Sequence, residues 1–137
     1  MRFVDTNVLL YSVSTKVAEE AKVRKSEALL AAGDWAVSVQ VLQEFYTQAT
    51  RPTLEGAMSH QQAAAFVRKC CDYPVQELTL ELLHAALATK ERYRISYWDA
   101  AIIEAARELG CAIVLTEDLN HGQDYDGVSV VNPFREV

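Results

Sequence analysis

Four acidic side chains fall at predicted strand ends or among apolar residues of predicted helices: Asp5, Glu44, Asp99 and Asp118. Carboxylate oxygens are ligands that Mg²⁺ and Mn²⁺ prefer, and such ions can activate water and contact a phosphate directly. Carboxylates crowded together repel one another strongly unless cations lie between them. If the fold gathers these acids, the sequence predicts a metal site suited to phosphate chemistry.

Two of the acids follow predicted strands. Asp5 comes directly after the apolar run at residues 2–4, and Asp118 comes shortly after the run Ile113-Val114-Leu115. In open α/β sheets, ligands bind at the carboxyl ends of the strands. We therefore expect Asp5 and Asp118 to lie at the same edge of a parallel sheet.

The other two acids lie in predicted helices. Asp99 shares the i, i+3, i+4, i+7 register with Ile102, Ile103 and Ala106, which predicts that its side chain faces the sheet rather than water. Glu44 lies about one turn into a helix that follows a strand, between neighbours that are expected to be buried. All four carboxylates thus have a route to one sheet edge.

Each acid also has a purely structural explanation. Asp5 can cap the helix that follows it, and Asp99 can be the acidic end of a capping box that begins at Ser96. Glu44 can be a solvated helix residue, and Asp118 can form a turn. Four independent coincidences are a weaker explanation than one cluster, so we favour the cluster.

The elements that must position these acids alternate along the chain. Short apolar runs with strand character occur at residues 2–4, 36–39, 75–78, 112–116 and 128–131, and helical patterns fill most of the intervals. Apolar strands separated by helices predict a parallel sheet covered on both faces. The predicted fold class is therefore α/β, a three-layer α/β/α sandwich with a central parallel sheet.

Length and composition are typical of one globular domain. The chain has 137 residues, of which half are apolar and 23% are charged, and no internal repeat or linker divides it. No apolar run approaches the ~20 residues of a spanning helix, and Asp5 falls where a signal peptide needs apolar residues. These features predict a single domain, residues 1–137, in a cytoplasmic protein.

The net charge of −6 argues against a protein that holds nucleic acid mainly by counterion release. It does not exclude a nuclease, because metal ions held by clustered acids can contact phosphate. Five basic residues could guide a phosphate backbone: Arg51, Arg68, Lys69, Arg92 and Arg94. Each of them is more commonly an ordinary surface charge.

Three segments carry a family resemblance. They are residues 4–11 (VDTNVLLY), 97–103 (YWDAAII) and 115–118 (LTED), with Glu44 in an amphipathic helix between the first two. Together they resemble the PIN-domain ribonucleases and, more narrowly, the VapC-like toxins of bacterial toxin-antitoxin pairs. The resemblance implies a PIN-like fold, a homodimer and an antitoxin protein as a partner.

The resemblance also implies a site and an activity. The implied catalytic carboxylates are Asp5, Glu44, Asp99 and Asp118. The implied polar residues that support them are Thr6, Asn7 and Thr116. The activity would be endonucleolytic hydrolysis of RNA with Mg²⁺ or Mn²⁺ as cofactor. Asp5, Asp99 and Asp118 would bind the ion, while Glu44 would complete the site and orient the attacking water.

The number of metal ions stays open. Many relatives carry another acid two residues after the fourth, where this chain has Asn120, and Glu117, Asp124 and Asp126 lie nearby instead. Three or four carboxylates suit one firmly held Mg²⁺ with several waters. A second ion could enter with the substrate phosphate.

Other functions are open or disfavoured to different degrees. A housekeeping nuclease and a non-catalytic PIN-fold interaction module are the alternatives, and the sequence does not identify which RNA is cut. A haloacid-dehalogenase-type phosphotransferase is disfavoured, because that pattern needs a second Asp two residues after Asp5, where Asn7 stands. A histidine-based ribonuclease is disfavoured because His60, His84 and His121 lie outside the motifs.

Overall fold

The computed structural model describes residues 1–137, in which helices cover both faces of a six-stranded sheet. The strands are β1 (Arg2–Val4), β2 (Trp35–Ser38), β3 (Val75–Gln76), β4 (Ile113–Leu115), β5 (Asp124–Tyr125) and β6 (Val128–Val131). The helices are α1 (Thr6–Ser12), α2 (Glu20–Ala31), α3 (Val39–Ala49), α4 (His60–Cys70), α5 (Leu80–Tyr93) and α6 (Tyr97–Glu108). A short 3-10 helix, Val17–Glu19, precedes α2. None of the helices is long and apolar enough to cross a membrane.

The strands lie in the order β3-β2-β1-β4-β6-β5, and all neighbouring pairs are parallel except β5 and β6. The chain runs from β1 outward to β3 and then returns to the other side of β1 to form β4. Because parallel crossovers are right-handed, α1 to α4 cover one face and α5 and α6 cover the other. The predicted three-layer α/β/α sandwich is therefore confirmed.

The strand order reverses between β1 and β4, which pair through Phe3 with Val114 and Val4 with Leu115. The backbone N–H of Asp5 extends this pairing by donating to the carbonyl of Leu115 at 3.0 Å. Such a reversal opens a crevice at the carboxyl ends of the strands, because the connections leave on opposite faces. Asp5 enters this crevice from β1, and residues 116–118 enter it from β4.

A buried core fixes the strand ends from which the site residues project. Phe3, Val37, Phe45, Ile103 and Val114 are all fully buried, and they come from β1, β2, α3, α6 and β4. Burial of each such side chain contributes on the order of 1.5 to 3 kcal/mol to folding. The elements that carry the acids are therefore packed against one another.

The sheet differs from the prediction in two places. The run at residues 75–78 pairs only at Val75–Gln76. The sheet also gains β5, an antiparallel strand within a stretch that is rich in turn residues. Asp126 and Gly127, with φ of 54° and 95°, connect β5 to β6. An Asp-Gly pair with positive φ at both positions is typical of a tight hairpin turn, so the sequence did contain a signal for β5.

Candidate active site

A cavity of about 120 Å³ lies in the crevice, and the four predicted carboxylates line it. They come from four separate parts of the chain: Asp5 after β1, Glu44 from α3, Asp99 from α6 and Asp118 from the loop after β4. Thr6 and Asn7 also line the cavity, whereas Thr116 is fully buried behind it. The fold thus brings the seven predicted site residues to one place.

Asp5 is a buried carboxylate, with 6% of its surface exposed. Its Oδ1 accepts a hydrogen bond from the Thr6 N–H at 2.7 Å, and its Oδ2 accepts one from the Thr116 hydroxyl at 2.9 Å. Burial raises the pKa of Asp5 to about 6, the two hydrogen bonds oppose that rise, and the charges of Asp118 and Glu44 add to it. Asp5 caps α1 and also lines the cavity, so the two explanations offered by the sequence both apply.

The hydroxyl of Thr116 links the residues that follow β1 and β4. It donates to Asp5 and accepts from the Asn7 side-chain amide at 3.0 Å and from the Asp118 N–H at 3.1 Å. The same Asn7 amide also donates to the Asp118 carboxylate at 3.1 Å. This network holds Asp5 and Asp118 in fixed positions relative to each other.

Glu44 is half-buried, and both of its oxygens are held. The Thr6 hydroxyl donates to Oε2 at 3.0 Å, and the Gln40 amide donates to Oε1 at 2.8 Å. The Gln40 amide also donates to the carbonyl of Trp98, in the first turn of α6, at 3.3 Å. Gln40 therefore connects Glu44 to the helix that carries Asp99.

Gln40 is a site residue that the sequence analysis missed. It is 7% exposed and lines the cavity. The available signal was its position four residues before Glu44, since residues at i and i+4 share a helix face. Glutamines at that spacing are common on solvated helices, so the spacing alone does not distinguish this one.

Replacement of Gln40 by Ala is expected to free Oε1 of Glu44 and to reduce the ribonuclease activity that the sequence resemblance implies by ~10-fold, as is typical of residues that orient a site without forming it. The free energy of unfolding should fall by about 1 kcal/mol, the net contribution of such a hydrogen bond. Thermal melts and initial cleavage rates measure the two effects. Gln43→Ala, an exposed glutamine of the same helix, is the matched control, and equal behaviour of the two variants would contradict the assignment.

Asp99 lies in the first turn of α6 and is half-buried. The Ser96 hydroxyl caps this helix by accepting from the Asp99 N–H at 3.0 Å. Burial raises the pKa of the Asp99 carboxyl above its ordinary range, a hydrogen bond with Ser96 lowers it, and the charges of Asp118 and Glu44 raise it further. Asp99 therefore feels the negative charge of two other members of the cluster.

The side chains around the cavity fit a hydrated divalent cation. No lysine, arginine or histidine lines the cavity, and none of the four acids forms a salt bridge. The side-chain oxygen Oδ1 of Asn7 is buried and has no hydrogen-bond partner. No group of three or more acidic, histidine or cysteine side chains is arranged to hold an ion by itself. Mg²⁺ does not need such a cage, because it keeps several waters and commonly takes only one or two carboxylates.

The histidines lie away from the cavity, as the sequence motifs indicated. The ring of His60 hydrogen-bonds the Tyr46 hydroxyl at 2.8 Å, and the ring of His121 accepts from the Asn132 N–H.

Among the five predicted phosphate-guiding bases, Arg51 lines a groove that adjoins the cavity, whereas Arg92 pairs with an acid at the β5–β6 turn.

Three solved structures share this fold across most of their length. A toxin-antitoxin complex from Klebsiella pneumoniae has a TM-score of 0.70 at 18% identity, covering 98% of both chains. The VapC20 toxin of Mycobacterium tuberculosis has a TM-score of 0.67 at 23% identity, covering 86% of this chain and 90% of that one. VapBC2 from Rickettsia felis has a TM-score of 0.64 at 12% identity, covering 94% and 96%. The TM-scores, at identities this low, establish a common fold and no more.

Among curated protein sequences, none matches this chain. A family model does match, and its description is PIN domain. The match spans residues 2–123 and so includes all four acids. The resemblance that the motifs indicated is confirmed: the chain belongs to the PIN domain family.

Proposed function

We propose that this protein is a metal-dependent endoribonuclease, which hydrolyses RNA phosphodiester bonds with an activated water. The observation that carries the proposal is the convergence of four carboxylates on one cavity that no positively charged side chain lines. Membership of the PIN domain family supports it. So does the fold shared with VapC20, a toxin described as cleaving the sarcin-ricin loop.

In this proposal Asp5, Asp99 and Asp118 would hold Mg²⁺ or Mn²⁺, directly or through bridging waters, and Glu44 would orient the attacking water. When bound, such an ion would supply a lowered pKa for the attacking water and positive charge opposite the phosphate. Glu44 is suited to its role because Thr6 and Gln40 fix its orientation. Each carboxylate oxygen has a second lone pair that can still accept a hydrogen bond from water.

The test is cleavage of an RNA that contains both a duplex and a single-stranded loop. Mg²⁺ or Mn²⁺ should support cleavage and EDTA should stop it, and the cuts should fall in the loop, where splayed bases expose the backbone. Cleavage that persists at full rate in EDTA would overturn the metal-dependent mechanism. Absence of cleavage with either ion, across loop and duplex RNAs, would favour a non-catalytic interaction module.

We further propose that the protein is the toxin of a toxin-antitoxin pair and acts as a homodimer. Similar structures include a toxin-antitoxin complex and a VapBC2 complex bound to promoter DNA, which supports an antitoxin partner. The homodimer is supported by an exposed apolar stripe on α5, formed by Leu80, Leu83 and Leu87, which are 66%, 39% and 48% exposed. Exposed apolar stripes of this kind mark protein interfaces.

Leu87→Glu is expected to dissociate the homodimer, because a charge on the stripe would be buried without a partner. The dimer dissociation constant should rise at least ~10-fold, measured by sedimentation velocity at micromolar protein. Ala88→Glu is the matched control, since Ala88 is exposed on the adjacent flank of the same helix. A parent protein that is monomeric throughout this range would exclude the dimer.

A further inference from the structure

A larger groove joins the cavity that holds the acids. The groove has a volume of about 350 Å³, and four residues line both spaces: Asn7, Leu10, Gln48 and Asp118. Its walls are the carboxyl-terminal part of α1 with residues 13–16 on one side and residues 51–58, after α3, on the other. We call it the flanking groove. A polymer with one phosphate at the acids can continue directly into it.

The flanking groove carries two unpaired cations. Neither Lys16 nor Arg51, which both line it, forms a salt bridge with any acid. Four acids line the groove as well. Glu117 pairs with Lys22 at 2.9 Å and Glu19 accepts from the Ser14 hydroxyl at 2.6 Å, whereas Glu55 and Asp118 form no salt bridge with either cation. The free positive charges are therefore available to a phosphate backbone, which the acidic cavity alone would repel.

The walls between these cations suit a flat, partly polar group. Leu10, Leu54 and Met58 are half-buried and offer apolar surface, while the amide of Gln48 offers both a donor and an acceptor. The volume falls in the range of ~300 to 1,000 Å³ that is typical of small-molecule pockets. A nucleobase presents an apolar face and a hydrogen-bonding edge, which matches this combination.

Gly56 shapes the far end of the flanking groove. Its φ is 74°, and a Cβ at this position would lie 2.5 Å from the Thr15 hydroxyl oxygen. Only glycine allows the two walls to approach this closely without strain. The two walls of the groove therefore approach each other closely at Gly56 and Thr15.

We propose that the flanking groove binds one unpaired nucleotide of the RNA, adjacent to the phosphate that is cleaved, with Arg51 and Lys16 contacting its backbone. The proposal rests on the proposed ribonuclease function and gives it a substrate preference. A nucleotide inside an A-form duplex cannot enter the groove, because its base is stacked and paired. The groove therefore selects single-stranded segments.

The test is equilibrium binding of fluorescein-labelled single-stranded RNA octamers in EDTA, followed by fluorescence anisotropy, so that no cleavage occurs. Arg51→Ala and Lys16→Ala should each weaken binding by about 3-fold to 10-fold. Each should also reduce the slope of log affinity against log salt by ~0.7, the value for one phosphate contact to a single strand. Arg24→Ala, an exposed arginine of α2 outside the groove, is the control and should behave like the parent.

A series of RNA octamers, each lacking one base, identifies the base that occupies the flanking groove. Removal of one particular base should weaken binding to the parent by about 5-fold or more, as expected for a stacked base. The same removal should have little effect on Leu54→Ala, in which the apolar wall is already reduced. Equal sensitivity of parent and variant at every position would overturn the groove assignment.

Cleavage assays with Mg²⁺ distinguish failure of the groove assignment from failure of the proposed ribonuclease function. If the parent cleaves RNA but the groove variants retain its affinity, its salt slope and its abasic profile, only the groove assignment fails. If the parent neither binds nor cleaves RNA, the proposed function fails with it. If an arginine-containing peptide occupies the groove and RNA does not compete with it, the groove is a protein-docking site and the nucleotide proposal is overturned.

Discussion

Asp5→Asn is expected to reduce metal-dependent RNA cleavage by more than ~100-fold, beyond the losses typical of residues that only support a metal site. Asn keeps the shape of the side chain, and its oxygen can still cap α1 by accepting from the Thr6 N–H, since Asn and Asp are comparable helix caps. It removes the charge that would attract the ion. Loss of cleavage in a folded variant would therefore indicate the charge itself.

The same substitution should stabilise the metal-free protein near neutral pH. Because the pKa of Asp5 is raised to about 6 from 3.8, ionising this carboxyl costs more in the folded state than in the unfolded one. This penalty is fully present above pH 6 and disappears as the pH falls towards 3.8. The difference between the folded and unfolded pKa values corresponds to roughly 3 kcal/mol of lost stability above pH 6. About 1 kcal/mol of this gain in stability is lost again in the variant. The NH₂ group of the new Asn would face the Thr116 hydroxyl, which already accepts two hydrogen bonds and cannot accept a third.

Thermal melts in EDTA between pH 4 and pH 8 measure this effect. The variant should be more stable than the parent at pH 8, and the gap should close or reverse near pH 4. Added Mg²⁺ should stabilise the parent by mass action and the variant much less. Asp72→Asn, an exposed acid outside the cavity, is the control. Equal Mg²⁺ stabilisation of parent and Asp5→Asn, with undiminished cleavage, would remove Asp5 from the proposed site.

The placement of Asp5 and Asp118 could be predicted because it depends on strand pattern alone. Both acids follow apolar runs, and parallel strands bring their carboxyl ends to one edge. The reversal of strand order between β1 and β4 was not contained in that pattern. It depends on which strands pair, which is decided by contacts between residues far apart in the chain, such as Val4 with Leu115.

In the structure, an acid can be a helix cap and a member of the acidic cluster at the same time. Asp5 caps α1 through one oxygen and lines the cavity, and Asp99 belongs to the first turn of α6 and lines the same cavity. A helix start at a sheet edge needs an acceptor for its free N–H groups, and an ion site needs carboxylates. A single residue can meet both needs, so a satisfactory structural explanation of an acid does not exclude a chemical one.

The motifs indicated Thr6, Asn7 and Thr116 as supporting residues but not how they act. Hydrogen bonds between residues more than 100 positions apart, such as the one from Asn7 to Thr116, depend on the final distances between strands. The role of Gln40 was not predicted, because it too depends on contacts that form only in the folded chain. Its spacing to Glu44 was visible, whereas its second contact, to the carbonyl of Trp98, exists only once α6 has packed beside α3.

Thr116→Val is expected to damage both stability and cleavage, because it removes the hydroxyl at the centre of the network while keeping the shape of the side chain. Thr116 is fully buried, so water cannot replace its bonds to Asp5, Asn7 and Asp118. The Oδ2 of Asp5 would lose its donor. Leaving a buried charged acceptor unpaired costs about 2 to 4 kcal/mol, and cleavage should fall by ~10-fold to 100-fold as Asp5 and Asp118 lose their fixed positions.

Thr116→Ser separates the hydroxyl from the packing of the methyl group. Serine keeps the donor to Asp5 and loses one buried carbon, so its stability should fall by only about 1 kcal/mol and most of its cleavage should remain. In EDTA, the cost of the Val substitution should be larger at pH 8 than at pH 5, because a protonated Asp5 depends less on a donated hydrogen bond than the carboxylate does. Melting curves of both variants at these two pH values, beside cleavage rates with Mg²⁺, measure the contribution of the hydroxyl. If Val matched the parent in stability at both pH values and in rate, with Ser the less stable variant, Thr116 would act only by filling space. The fixed geometry of Asp5 and Asp118 would then have to come from the backbone pairing of β1 with β4.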